Sequence, residues 1–244
     1  MLLPEQLIVP DWPVPPNVRS LQTTRRGGVS TAPYGSLNLG DHVGDNPLAV
    51  ARNRELLSPL LPGEPVWLEQ VHGTQVADAD GVGCRVRADA CIARHRGSVC
   101  VVMTADCLPV LLCDAQGTVV GAAHAGWRGL CGGVIEAAVR AMEVAPRSLM
   151  AWLGPAIGQA HFEVGDEVRA AFVAVQPQAS SAFVPGRPGK WFADICALAR
   201  LRLDALGVTR IYGGGHCTYR EHERFFSYRR DGVTGRMGTF IWLA

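Results

Sequence analysis

The sequence is short of the features that mark several classes of protein. It has 23 basic and 22 acidic residues, a net charge of +1, and no block of like charges. Binding to nucleic acid or to a membrane surface needs a clustered basic face, so the composition predicts neither partner. The N-terminal segment has no charged region before its apolar residues and is interrupted by prolines, which is not typical of a signal peptide.

Long apolar runs and cysteine motifs are also missing. The most apolar window, 97–113, is interrupted by Thr-Ala-Asp at 104–106, so it is not a membrane-spanning helix. The eight cysteines include no C-x-x-C pair. A chain of this size buries roughly 70% of its unfolded surface and does not depend on disulfides. The sequence therefore predicts reduced thiols and a cytoplasmic protein.

The length of 244 residues predicts one large domain over 1–244. Nearly continuous apolar runs at 98–103, 108–113 and 118–123 predict strands that are covered on both faces. Only a four-residue turn joins the last two, so they are expected to pair antiparallel. Further strands are predicted at 65–71, 149–154, 210–214, 225–230 and 238–243.

Three segments have the pattern of helices, at 128–144, 163–175 and 194–207. In the third, Asp194 is a suitable N-cap and Gly207 a suitable C-terminal cap. Strands and helices follow one another without a regular βαβ alternation. The sequence thus predicts an α/β or α+β domain with mixed sheets and with helices outside.

Three side chains with metal-binding chemistry lie at strand–loop junctions, where a rigid scaffold can direct them into a cleft. They are His72, Cys107 and His124. Two imidazoles and one thiolate form a three-ligand zinc site whose fourth position is open, which is the arrangement of catalytic zinc. A water in that position loses its proton near pH 7 and becomes a nucleophile.

The same residues have other interpretations. A single cysteine is most often a small core residue, and a single histidine at a strand end most often makes an ordinary hydrogen bond. Alternatively, Cys107 is a nucleophile with His72 or His124 as its base. The neighbouring Asp106 either orients a ligand histidine or caps a turn.

Arginines in three motifs suggest binding of an anion or a base. Arg128 begins a predicted helix, where free backbone N–H groups favour an anion, although the alternative is a solvated arginine in the first turn. Arg25 lies in TTRRGGVS (23–30), where glycines allow a ligand to approach the backbone. The segment 225–238 contains aromatic residues and Arg229, and it either stacks on a base or sugar or forms an ordinary core strand.

Taken together, the motifs resemble one family. The elements that carry the resemblance are TTRRGGVS, SLNLGDHVGDN, WLEQVHG, RADA, MTADCLPVLLC, HAGWRGL, WLGPAIG, FEVGDEVR and FFSYRRDGVTGRM. They resemble the YfiH family, the bacterial relatives of the laccase-domain-containing, multicopper-polyphenol-oxidase-like protein. The resemblance covers essentially the whole chain, and it turns the zinc site from one alternative into the preferred prediction.

The resemblance implies a single domain of mixed β-sheets packed centrally with helices outside. It implies a zinc site made of His72, Cys107 and His124, with Asp106 beside it, in a monomer or homodimer. The implied activity is phosphorolysis of adenosine, inosine and S-methyl-5′-thioadenosine, together with adenosine deamination, so that the partners are a purine nucleoside and phosphate. The residues expected to bind substrate are Arg25, Asn38, Gln70, Arg128 and Arg229.

Two further activities are associated with the family. One is copper-dependent polyphenol oxidation, but multicopper oxidases rely on paired H-x-H motifs, and the seven histidines here form none. Copper binding to the three ligands is nevertheless expected to be possible. The other is hydrolytic editing of peptidoglycan precursors, which no residue distinguishes from the nucleoside reactions. For deamination, a metal-activated water must be delivered to the purine ring, and Asp106 and Glu69 are the candidate proton-transfer groups.

Overall fold

Two large β-sheets and two small ones form the framework of the protein, in a computed structural model that describes residues 2–81 and 86–244. In chain order the strands are β1 (Leu7–Ile8), β2 (Val18–Thr23), β3 (Pro65–Val66), β4 (Leu68–Glu69), β5 (Val76–Asp78), β6 (Val86–Arg87), β7 (Ala90–Ala93), β8 (Val99–Thr104), β9 (Leu108–Asp114), β10 (Val120–Ala125), β11 (Leu149–Leu153), β12 (Glu163–Gly165), β13 (Phe183–Pro185), β14 (Lys190–Ala193), β15 (Arg210–Gly213) and β16 (Met237–Leu243). The helices are α1 (Pro47–Glu55), α2 (Trp127–Gly132), α3 (Val134–Ala141), α4 (Asp166–Val175), α5 (Ile195–Ala205) and α6 (Tyr228–Asp231).

The strand order of the five-stranded sheet is β1-β2-β16-β8-β3, and that of the six-stranded sheet is β15-β11-β9-β10-β7-β5. The small sheets are β12-β14-β13 and β4-β6. Parallel and antiparallel neighbours occur in the same sheets, as in the antiparallel pair β9–β10 and the parallel pair β11–β15. The predicted mixed α/β fold class is therefore confirmed, as is the antiparallel pairing of β9 with β10.

The two large sheets pack face to face over a shared core, which explains the continuous apolar runs. Every residue of β8, β9 and β10 is buried. Along β8, Cys100 and Val102 belong to the core between the sheets, whereas Val99 and Val101 belong to a second core on the outer face of the five-stranded sheet. Both faces of the strand are covered, so no alternation of polar and apolar residues is required.

Helices cover the other face of the six-stranded sheet. A third core joins strand residues such as Leu112 and Ala123 to Ile135 of α3 and Leu198 of α5. Helix α5 begins as predicted, because the Asp194 carboxylate accepts a hydrogen bond from the backbone N–H of Ala197 at 2.9 Å. None of the described helices combines the length and the apolar character needed to cross a bilayer.

Two predicted helices differ in their limits. The helix expected over 128–144 is divided into α2 and α3 at Gly133, which has a φ of 101°. A left-handed residue interrupts the helical hydrogen bonds and turns the chain. The helix expected over 163–175 starts only at Asp166, because 163–165 pairs with β14 as β12.

The strand predicted at 225–230 is wrong. Phe225 and Phe226 are both fully buried in a loop, and Ser227 then caps α6 by accepting a hydrogen bond from the backbone N–H of Arg230. Consecutive buried aromatics do not fit the alternation of a strand, and the serine cap favours a helical turn. The strand expected at 65–71 is two short strands, β3 and β4, in different sheets.

Candidate metal centre

The three predicted metal ligands are brought together by strand pairing. Antiparallel pairing of β9 and β10 places Leu108 opposite Ala125, so that Cys107 and His124 meet at one end of the pair. His72 approaches from the loop after β4, with its Nε2 3.8 Å from the Cys107 Sγ. One ligand atom from each of the three side chains lies within 4.8 Å of the others. We call these three residues the His–Cys–His cluster.

The separation of two ligand atoms of this cluster is close to that in a tetrahedral metal site. Zinc bonds of about 2.3 Å to sulfur and about 2.0 Å to nitrogen place the two ligand atoms about 3.5 Å apart in a tetrahedron. The observed separation of 3.8 Å between His72 Nε2 and Cys107 Sγ is close to that value. Within 2–81 and 86–244, no other group of three such side chains lies at binding distance. The cluster can therefore hold one ion with three protein ligands.

The buried carboxylate of Asp89 organises two of the three ligands. It accepts a hydrogen bond from the His124 Nδ1 at 2.8 Å, which leaves the His124 Nε2 free to coordinate a metal. It also accepts hydrogen bonds from the backbone N–H groups of Val71, His72 and Gly73, at 3.1, 2.9 and 2.6 Å. Burial raises the pKa of Asp89, but these hydrogen bonds outweigh that effect and lower it.

The cluster is electrostatically coupled. Burial raises the pKa of the Cys107 thiol, but the charges and hydrogen bonds of His124 and His72 outweigh it and lower the pKa to about 6. Burial lowers the pKa of His124, whereas the Cys107 thiolate and Asp89 raise it to about 9. Without a metal, the two residues therefore form a thiolate–imidazolium pair at neutral pH. The thiolate is the form that binds a metal.

Backbone strain is concentrated at the cluster. His72 and Asp106 have φ angles of 60° and 96°, which residues with a side chain rarely adopt. The hydrogen bonds of the loop 71–73 to Asp89 hold His72 in its conformation. Asp106 is held by its carboxylate, which accepts hydrogen bonds from the Thr218 hydroxyl at 2.6 Å and the Arg229 backbone N–H at 2.6 Å. Asp106 thus fixes a turn, and orientation of a ligand histidine is the role of Asp89.

Two cavities meet at the cluster, and His72, Ala105, Cys107 and Tyr228 line both. The aromatic cavity has a volume of about 240 Å³. Its other lining residues are Asp106, Trp127, Arg128, Ile157, Phe162, Ile195 and Arg229. The polar cavity has a volume of about 360 Å³. Its other lining residues are His42, Gln70, Met103, Thr104, His124 and Arg236.

The residues expected to bind substrate are placed differently from one another. Arg128 and Arg229 line the aromatic cavity, where their guanidinium groups lie over the rings of Trp127 and Phe162 at 4.5 and 5.6 Å. Arg128 is not on a long helix, because α2 has only six residues. Gln70 lines the polar cavity, although its amide also exchanges two hydrogen bonds with the Met103 backbone.

Two other predicted residues line neither cavity. Arg25 donates to the carbonyl oxygens of Gly35 and His222, and its guanidinium lies 4.8 Å from the Phe226 ring centre. Asn38 is fully buried; its amide nitrogen donates to the Gly40 carbonyl and the Asp45 carboxylate, and its amide oxygen accepts from the Arg236 backbone N–H. The exposed Glu69 lines a neighbouring cavity that shares His42, Gln70 and Met103 with the polar cavity but does not include Cys107.

Several site residues are not assigned from the sequence. Asp89 lies in RADA, one of the motifs of the resemblance, and a single carboxylate at the start of an apolar strand could have drawn attention to it. Arg236 lies in the long aromatic and arginine-rich motif, but its place in the polar cavity depends on β16 crossing the five-stranded sheet. The aromatic residues that line the aromatic cavity come from segments distant in sequence, so no local pattern predicts that they meet.

Comparisons with known proteins identify the family of the chain. Residues 19–244 match the family described as multi-copper polyphenol oxidoreductase laccase. The chain is 56% identical over 241 residues to "Purine nucleoside phosphorylase YfiH" of Escherichia coli K12, with 98% of this chain and 99% of that relative covered. It is 55% identical over 237 residues to a purine nucleoside phosphorylase of Pseudomonas aeruginosa, with 97% and 98% covered.

A solved structure gives the same result for the fold. The crystal structure of a Neisseria meningitidis protein of the DUF152 family superposes with a TM-score of 0.94 at 53% sequence identity. The superposition covers 98% of this chain and 99% of that chain. The family resemblance indicated by the sequence motifs is therefore confirmed.

Proposed function

The chain belongs to the multi-copper polyphenol oxidoreductase laccase family, and we propose that it is a zinc-dependent purine nucleoside phosphorylase. The observation that carries the proposal is the His–Cys–His cluster at the junction of two cavities. An aromatic cavity suits a purine ring, and a polar one suits phosphate. The relatives from Escherichia coli and Pseudomonas aeruginosa bear the same activity in their names.

In phosphorolysis, an oxygen of phosphate bonds to the ribose C1′ while the bond from C1′ to N9 of the purine breaks. The electron pair of the broken bond goes to the purine, which takes up a proton and leaves as the free base, and the sugar leaves as ribose 1-phosphate. A zinc ion held by His72, Cys107 and His124 supplies a Lewis acid beside this reaction. Burial of Asp89 and its bond to His124 keep that ligand oriented.

The residues of the aromatic cavity position the nucleoside. Trp127, Phe162 and Tyr228 offer ring faces to a purine, and Arg128 and Arg229 offer guanidinium planes beside two of them. Asp106 lines the same cavity as Cys107, whereas Glu69 does not. Of the two candidate proton-transfer groups, Asp106 is therefore the one placed beside the cluster.

We further propose that the same cluster supports adenosine deamination, in which water replaces the amino group and ammonia leaves. Copper oxidase chemistry is less well supported, because it needs several coppers and the described residues offer one cluster. The three ligands can still bind a single copper ion, which is the metal in the description of the family. The thiolate ligand agrees with a reduced, cytoplasmic setting.

The test is a chromatographic product assay with zinc-loaded protein of measured metal content. Inosine and adenosine are incubated with and without phosphate, alongside Cys107→Ala and the control Cys131→Ala, whose cysteine lies outside the cluster. We expect release of hypoxanthine or adenine that depends on phosphate, is lost in Cys107→Ala and is retained in Cys131→Ala. Absence of turnover at full zinc occupancy would favour hydrolysis of a peptidoglycan precursor instead.

A further inference from the structure

Arg236 lines the polar cavity but has no part in the proposed positioning of the nucleoside. It lies just before β16 and is partly buried. Its backbone is fixed on both sides, because its N–H donates to the Asn38 Oδ1 at 2.8 Å and its carbonyl accepts from the Leu39 N–H at 3.1 Å. The buried Asn38 thus holds the arginine at a defined place beside the cluster.

The Arg236 guanidinium bonds to backbone carbonyl groups. One nitrogen, Nη1, donates to the carbonyl oxygens of Thr234 and Gly235 at 3.0 and 3.1 Å. Among the residues that the structure describes, it forms no ion pair within 4.0 Å. Burial lowers the pKa of Arg236, but an arginine remains charged at neutral pH. The negative charges of Cys107 and Asp106 raise that pKa but only partly offset the burial, so an anionic ligand in the cavity would further stabilise the guanidinium.

The rest of the polar cavity favours an anion as well. Among the described residues that line it there is no carboxylate, and His42, Gln70 and Thr104 offer polar groups. Its one anionic group is the Cys107 thiolate, whose charge a metal ion bound in the cluster would neutralise. Thr104 is only 1% exposed, and within the described part of the chain its hydroxyl has no hydrogen-bond partner. A buried hydroxyl without a partner is unusual, and a bound oxyanion can satisfy it. The aromatic cavity contains the Asp106 carboxylate together with Arg128 and Arg229, whose guanidinium groups lie over aromatic rings.

We propose that the polar cavity, with Arg236 as its principal cation, binds a phosphate oxyanion, while the aromatic cavity holds the nucleoside. Planar guanidinium groups bind phosphate through two parallel hydrogen bonds, and Arg236 has its Nε and Nη2 donors available in the described structure. The role of this phosphate as the attacking group rests on the proposed phosphorylase function. The anion site itself does not, because the charge and the cavity are present whatever the reaction.

The test measures binding of inorganic phosphate by isothermal titration calorimetry in a phosphate-free buffer, with metal-loaded protein and no nucleoside. The variants are Arg236→Gln, Arg236→Lys and Thr104→Val. Arg25→Gln is the matched control, since Arg25 lines neither cavity. A parallel titration with inosine 5′-monophosphate distinguishes free phosphate from the phosphate group of an ester. Thermal melts monitored by circular dichroism show whether each variant is folded.

We expect Arg236→Gln to weaken phosphate binding about tenfold or more, because a charge-assisted hydrogen bond is lost. Arg236→Lys should recover part of the affinity, since lysine keeps the charge without the planar fork. Thr104→Val should weaken binding less and leave the melting temperature unchanged, because its hydroxyl makes no bond in the folded protein. Arg25→Gln should bind phosphate as the wild type does.

Unchanged binding of both phosphate and inosine 5′-monophosphate by folded Arg236→Gln would overturn the anion site. So would loss of phosphate binding in Arg25→Gln with retention in Arg236→Gln. If binding depends on Arg236 but wild-type protein does not turn over nucleosides, the phosphorylase function fails and the anion site stands. If turnover depends on phosphate but phosphate binding does not depend on Arg236, the anion site at Arg236 fails and the phosphorylase function stands.

Discussion

At the scale of single residues, Asp89 joins the two histidines of the cluster. It is fully buried, contacts the His124 ring directly and holds the His72 backbone through the loop 71–73. A carboxylate acceptor raises the basicity of a ligand histidine and selects the tautomer that coordinates the metal. The positions of the two histidine ligands therefore depend on a residue that is not itself a ligand.

Replacement of Asp89 by asparagine should weaken zinc binding by roughly 10- to 100-fold, the usual effect of losing such a partner of a ligand histidine. Competition with a chromogenic chelator measures this affinity. Asp114→Asn is the matched control, because Asp114 is another buried carboxylate that accepts backbone hydrogen bonds, in a turn away from the cluster. Equal losses of zinc affinity in the two variants would contradict a specific role for Asp89.

The lowered pKa of Cys107 predicts how the metal-free protein reacts with iodoacetamide. A thiol with a pKa of about 6 is largely thiolate at pH 7, so its alkylation should rise between pH 5 and about pH 7 and then level off. Cys113 and Cys196, with pKa values raised to about 12, should not react over this range. Mass spectrometry of peptides gives the rate at each site. A Cys107 rate that is still rising near pH 9 would contradict the lowered pKa.

At the scale of elements, the turn between β10 and α2 leaves no room for a side chain. A Cβ atom on Gly126 would lie 2.9 Å from the Cys107 Sγ and 2.9 Å from the His72 Cδ2. Real Cβ atoms do not approach that closely, so one or both ligands would have to move. Gly126 is thus required by the packing of the metal ligands against the turn.

Gly126→Ala should therefore reduce bound zinc well below one ion per chain, measured by elemental analysis after gel filtration. Gly215→Ala is the control, because a Cβ there meets no atom within 4 Å and should leave the metal content unchanged. Both variants should keep a cooperative thermal transition. Full zinc occupancy in Gly126→Ala would contradict the close packing of the ligands at this turn.

At the scale of the whole molecule, the ligands are attached to a framework that does not need the metal. The cluster lies at strand ends and loops, while three large cores hold the sheets and helices together. A chain of this size has sufficient core to fold without a metal. The organisation of 1–244 as one catalytic domain remains a prediction.

Removal of zinc by a chelator should lower the melting temperature while leaving the far-ultraviolet circular dichroism spectrum unchanged. A ligand present at 100 times its dissociation constant stabilises the folded state by about 2.7 kcal/mol, and this is lost on chelation. The melting temperature of Cys107→Ala should not respond to the chelator. Loss of secondary structure on chelation would instead indicate that the metal is needed for folding.

The sequence alone determined the family, the buried strands β8 to β10, the capped helix α5 and the three side chains of the cluster, because these depend on local patterns or on motifs. It did not determine the break at Gly133 or the helix at Tyr228–Asp231, since short elements follow their packing more than their propensity. Asp89 and Arg236 acquire their places only through contacts between distant segments. Tertiary structure decided which carboxylate orients the metal ligand and which arginine lines the polar cavity, because both choices depend on distances that strand pairing sets.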